Sequence, residues 1–150
     1  MKIFLGADHN GLDLKEKVEQ YLVSQGHDVS DEGGHELNPE DDFPVFASKV
    51  VHDMFASGDD QARGVLLCGS GQGMAIAANR FKGIRAVVLD DVEQAKLARN
   101  DDDSNVLALP AYTLSSNPQK AYDILDAWLA TPYESIARRD RRIKQLDELS

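Results

Sequence analysis

Apolar positions recur along this chain in two alternating rhythms. Short continuous runs at Lys2 to Ala7, Val65 to Cys68, Ile84 to Leu89 and Val106 to Leu109 predict strands covered on both faces, and Val29 marks a further short one. Between them the spacing becomes helical. Leu12, Leu14, Val18, Tyr21 and Leu22 share a face within Gly11 to Gln25; Val45, Phe46, Val50, Val51 and Met54 follow Pro44. Helices are likewise predicted over Met74 to Arg80, over Val92 to Arg99, and after Pro118 with Ala121, Ile124, Leu125, Trp128 and Leu129 inward. Glu32 to Asp42, rich in Gly, Pro and acids, reads as a loop, and so does the acidic run Asp101 to Asp103. Strands alternating with helices predict an α/β fold, a Rossmann-like three-layer αβα sandwich with a five-stranded parallel sheet. No repeat or long linker divides it, so residues 1–150 are expected to form one domain. The last predicted helix, about Ser135 to Leu149, breaks the pattern. Its stripe of Ile136, Ile143, Leu146 and Leu149 is too narrow to anchor on one core, so a second subunit is its expected surface.

Composition narrows the functions. With 42% hydrophobic residues in 150, the chain can bury a core without staples, and one cysteine with four histidines builds neither a disulfide nor a zinc cage. No metal is therefore expected. No apolar run approaches the roughly 20 residues of a membrane span, and the first residues lack a signal-like apolar stretch, so no membrane partner and a cytoplasmic location are expected. A formal charge of -10 argues against nucleic acid. Yet Arg138, Arg139, Arg141, Arg142 and Lys144 crowd one segment, where a small anion can still be held.

In an open parallel sheet, ligands gather at the carboxyl ends of the strands, here Asp8-His9, Cys68 to Gly73, Asp90-Asp91 and Leu109-Pro110. The turn Gly69-Ser70-Gly71-Gln72-Gly73 aims backbone N–H groups at whatever sits above Cys68, which suits an anion and should draw the thiol toward thiolate. Its spacing is not the G-x-G-x-x-G of dinucleotide sites, so no nicotinamide cofactor is expected. Each feature also has a structural reading. Cys68 fits core packing, Asp8-His9 fits a helix N-cap pair, Asn79 fits a brace for the turn, and Arg138 with Arg142, four apart on one helix face, fits either a phosphate clamp or a solvated surface.

Taken together, G-A-D-H-N-G at 6–11, D-F-P at 42–44, C-G-S-G-Q-G-M-A-I-A-A-N-R at 68–80, G-I-R-A-V-V at 83–88 and S-N-V-L-A at 104–108 strongly resemble the ribose 5-phosphate isomerase B and galactose 6-phosphate isomerase family. The resemblance implies an aldose-ketose isomerase that needs no metal or cofactor, assembled as a homodimer or a dimer of dimers whose sites draw on two subunits. It places the base on Cys68 and a hydroxyl on Ser70 beside the N–H groups of Gly69, Gly71 and Gly73. Asp8 and His9 fall on the substrate-holding pair, and Arg138 and Arg142 on the phosphate contacts. The glutamate base of the other lineage falls on Met74, which makes this a cysteine type. The ring-opening histidine and the following asparagine fall on Asp101 and Asp102, a further arginine on Tyr112, and a tyrosine on Phe43. The expected substrate is ribose 5-phosphate with ribulose 5-phosphate. The departures at Asp101 and Tyr112 keep open an acyclic tetrose phosphate, a hexose 6-phosphate, or a binding protein without turnover.

Overall fold

The computed structural model describes residues 1–149. The chain runs β1 (Lys2–Ala7), α1 (Leu12–Ser24), β2 (Asp28–Asp31), α2 (Phe43–Ala56), β3 (Arg63–Cys68), α3 (Gln72–Ala78), β4 (Ala86–Val88), α4 (Val92–Asp102), β5 (Val106–Pro110), α5 (Ala111–Leu114), α6 (Pro118–Ala130) and α7 (Ala137–Glu148). All strand pairs are parallel, in the order β2-β1-β3-β5-β4. Successive side chains of a strand face opposite ways, so each central strand feeds two cores. Ile3, Leu5, Val65, Leu67, Leu107 and Leu109 pack under α1, α4 and α6, while Phe4, Leu66, Cys68, Val106 and Ala108 pack under α2 and α3. This is the three-layer α/β sandwich that the apolar rhythm predicts.

The chain leaves β1 toward β2 on one side and leaves β3 toward β5 and β4 on the other. The carboxyl ends of β1 and β3 therefore flank the crevice where the strand order reverses, and Asp8 and Cys68 emerge there. Lys15, on the inner face of α1, is almost wholly buried and ties this region down: its ammonium donates to Asp31 at 2.6 Å and to the Gly34 carbonyl at 2.8 Å.

Three details depart from the sequence expectation. Asp101 and Asp102 belong to α4 rather than to a loop, with Asp103 closing the helix in the left-handed conformation at φ +48°. Carboxylates disfavour a helix C-terminus, but Arg139 pairs with Asp101, and Arg85 and Arg99 share Asp103. Asn79 braces the edge strand instead of the glycine turn: its carboxamide accepts the Ala86 N–H at 2.7 Å and donates to the Ala86 carbonyl at 2.9 Å. The short α5 follows β5 directly and had no periodic signal of its own. Within its own chain α7 makes ion pairs from Arg139 to Asp101 and from Asp147 to Arg85, yet no residue of α7 is fully buried and Leu146 and Leu149 stay exposed. No helix among the described residues is long and apolar enough to cross a membrane.

Candidate active site

The turn after β3 is shaped by close approaches that exclude side chains. Gly71 adopts φ +76°, and a Cβ there would also meet Val88 at 2.9 Å. At Gly69 a Cβ would lie 2.4 Å from the Tyr112 ring, whose own N–H donates to the Gly69 carbonyl at 2.9 Å. Phe43 covers the other end of the turn at Gly73. The two aromatic positions that depart from the family pattern thus stand on either side of the glycines. With the turn so folded, the Gly71 N–H donates to Cys68 Sγ at 3.1 Å, and Ser70 Oγ, exposed above it, accepts the Gln72 N–H at 3.3 Å.

Cys68 is buried and is the chain's free thiol. The expectation of a depressed pKa does not hold. Burial pushes it up, and the nearby Asp8 carboxylate pushes the same way; the N–H groups of Met74, Gly71 and Ser70 pull down but do not win. A thiolate formed here is a stronger base than an exposed one, and the N–H groups that already face the sulfur are its stabilisers.

Asp8 does not cap α1, whose cap position is Gly11 without a side-chain bond; it shapes the turn that leads into the helix. Its Oδ1 accepts the N–H groups of Asn10 at 3.0 Å and Gly11 at 3.1 Å ahead of α1, while the residue sits at the crevice beside Cys68. Burial raises its pKa, against those two N–H donors. His9 turns outward to a partner that sequence reasoning missed, Asp41. His9 Nδ1 lies 2.6 Å from Asp41 Oδ1, which also accepts the His9 backbone N–H at 3.2 Å. The hydrogen bond to the Asp41 carboxylate raises the imidazole pKa, so the cation persists to higher pH than in an isolated histidine. Asp8, His9 and Asp41 bring donor atoms within 4.8 Å of one another, which is the geometry of a metal cluster. Asp8 Oδ1 and His9 Nδ1 are already committed to protein partners, so the set reads as a hydrogen-bonded cluster.

Asp8, His9, Cys68, Gly69, Ser70, Gly71 and Gly73 therefore share one rim. The remaining predicted residues do not join them within this chain. Asp101 and Asp102 end α4 at the opposite edge of the sheet, where β5 begins, and β5 alone spans about 13 Å before Pro110 reaches the level of Cys68. Asp101 is held there by the Arg139 guanidinium and by the Asn100 amide at 2.8 Å. Arg138 and Arg142 lie beside it on α7, both exposed and without an ion-pair partner among the described residues.

Residues 3–146 match the sequence model of the ribose/galactose isomerase family. Ribose-5-phosphate isomerase B of Escherichia coli K12 is 38% identical over 145 residues, covering 97% of this chain and 93% of that protein. The structure of a ribose 5-phosphate isomerase from Thermotoga maritima superposes with a TM-score of 0.91 at 40% identity, covering 99% of this chain and 98% of that one. The ribose-5-phosphate isomerase B of Mycoplasma genitalium with bound ribulose-5-phosphate gives 0.90 at 33% identity, covering 98% and 94%. The glycine turn under Cys68, the crevice beside Asp8 and this likeness along nearly the whole chain place the protein in the ribose/galactose isomerase family.

Proposed function

We propose that this chain interconverts ribose 5-phosphate and ribulose 5-phosphate, with Cys68 as the base and with each site shared between two copies. The observation that carries the chemistry is the buried thiol at the strand-order crevice, facing backbone N–H groups that Gly71 and its neighbours present. In the open-chain aldose, the Cys68 thiolate removes the proton from C2, and the electron pair shifts so that the C1 carbonyl becomes an enediolate oxygen. The N–H groups of the turn hold that negative charge. The Ser70 hydroxyl passes a proton from O2 to O1, the Cys68 thiol returns its proton to C1, and C2 becomes the carbonyl. Nothing is oxidised or reduced overall, so the reaction calls for no cofactor.

Sharing between copies is supported by what the rim lacks. It carries the half-buried His9 as its cation, while Arg138 and Arg142 wait without ion-pair partners among the described residues at the far edge of the same sheet. A two-fold pair brings the far edge of one chain to the rim of the other, delivering Arg138 and Arg142 to the phosphate and Asp101 and Asp102 to the sugar. The thin apolar stripe of α7, with Leu146 and Leu149 exposed, gives that contact its apolar part. The test is complementation. At substrate well below the raised KM of the arginine variant, C68A and R138A/R142A should each be nearly inactive, yet mixing them in equal amounts should restore about a quarter of the parental sites, those in mixed pairs that unite an intact rim with intact arginines. Mixed samples no more active than their components would overturn the shared site.

A further inference from the structure

The far edge of the sheet holds a charge that the isomerase reading leaves unused. Arg63 opens β3 on the same face as Val65 and Leu67, where α4 and α6 end. It is only 7% exposed, and among the described residues it forms no ion pair. Its guanidinium donates to the carbonyl of its neighbour Ala62 at 3.0 Å. The half-buried Asp103 carboxylate is already divided: its Oδ1 takes Arg99 at 2.7 Å and its Oδ2 takes Arg85 at 3.0 Å. Asp59 and Asp60, at the mouth, are exposed, and Asp59 Oδ1 accepts the Gln61 N–H at 2.8 Å. Burial first, then the charge of Arg99, pushes the Arg63 pKa below the ordinary arginine value.

Arg63, Arg85, Arg99, Asp103, Asn105 and Tyr133 line a cavity of about 490 Å³, within the range of small-ligand sites. Asp103 and Asp59 act on Arg63 only from a distance, and a buried guanidinium without a carboxylate in contact is costly; its planar fork matches a pair of oxyanion oxygens. We propose that this cavity is a second anion site, which takes a phosphate-type oxyanion on Arg63 with Arg85 and Arg99 behind it. It lies about 17 Å along β3 from Cys68 of the same chain, and none of the residues assigned to the isomerase site lines it. The ligand is either free phosphate or the head of a phosphomonoester.

Calorimetric titration at constant ionic strength tests this, with inorganic phosphate in one arm and glycerol phosphate in the other. Both are run on R138A/R142A, which removes the proposed substrate-phosphate contacts, and on the same protein carrying R63M. The first should bind one anion per chain, and R63M should weaken that binding by about tenfold or more. Preference between the two ligands identifies the source. R63M alone should leave isomerase activity unchanged. If R63M does not fold, R63K keeps the charge without the fork and should also bind more weakly; undiminished affinity there would count against the site. Phosphate binding indifferent to both Arg63 variants would show an adventitious ion only. Absence of binding in R138A/R142A would overturn the proposal.

Discussion

The two edges of the sheet are built from opposite materials. The rim at the carboxyl ends is made of glycines, one thiol and backbone N–H groups, with the side-chain charges of Asp8 and of the His9-Asp41 pair around it. The far edge is made of arginines and carboxylates, with Arg85, Arg99 and Arg139 bound to Asp103 and Asp101. Backbone dipoles stabilise a charge that appears briefly, as an enediolate does, without binding a resting anion strongly. Guanidinium groups hold a charge that is always present, as a phosphate is.

The largest effect should come from emptying the rim. C68A should lower kcat by about 10²- to 10⁴-fold while the far-ultraviolet circular dichroism stays that of the parent. Near-parental turnover would transfer the base to another group. In the parent, kcat/KM should climb with pH up to and beyond the ordinary thiol range, because the raised Cys68 pKa leaves little thiolate at neutrality. Next, R138A and R142A should each raise KM about tenfold or more and change kcat less, since a phosphate contact is made in ground and transition state alike. An effect on kcat alone would erase the contrast between the two edges.

Asp101 offers a finer test. Its carboxylate accepts from Arg139 and Asn100, so it stands here as an acceptor rather than as the donor that ring opening needs. D101H should therefore raise kcat/KM for ribose 5-phosphate several-fold relative to an acyclic tetrose phosphate, about 1 kcal/mol of selective transition-state stabilisation. Equal ratios in parent and variant would remove Asp101 from the chemistry. The smallest effect belongs to Asp41. Because Asp41 raises the His9 pKa, the imidazolium is complete below the ordinary histidine value and is lost only as pH rises through the raised one. In D41N the loss should begin at lower pH, so KM should start to climb earlier, and the His9 ring resonances in NMR should titrate earlier with it.

Much of this was legible in the chain. The strands and helices followed from apolar spacing, and the Cys68 turn from its glycines. What escaped was set by distance in sequence. Asp41 reaches His9 across 32 positions from within a loop that has no periodicity. Lys15 looks like a polar helix position until Asp31 and Gly34 are seen around it. The acidic end of α4 has its charge balanced by Arg139 and Arg85, both remote from it in sequence, and by Arg99 one turn back. The Cys68 pKa depends on a balance between burial and three N–H groups, and the sequence announces the donors but not the depth. That β4 lies outermost, beyond β5, has no local signature at all.

The position of β4 gives the Asn79 clasp a meaning for life at high concentration. An outermost strand exposes a ladder of free N–H and C=O groups on which another chain can add a strand. Alternation along β4 turns the groups of Ala86 and Val88 outward, and Asn79 occupies both of those of Ala86. A three-residue edge with one rung already filled leaves too little template for a stranger to pair with. Opening that rung, as Asn79→Leu does, should appear as light scattering that grows with protein concentration, while freshly diluted enzyme keeps its turnover.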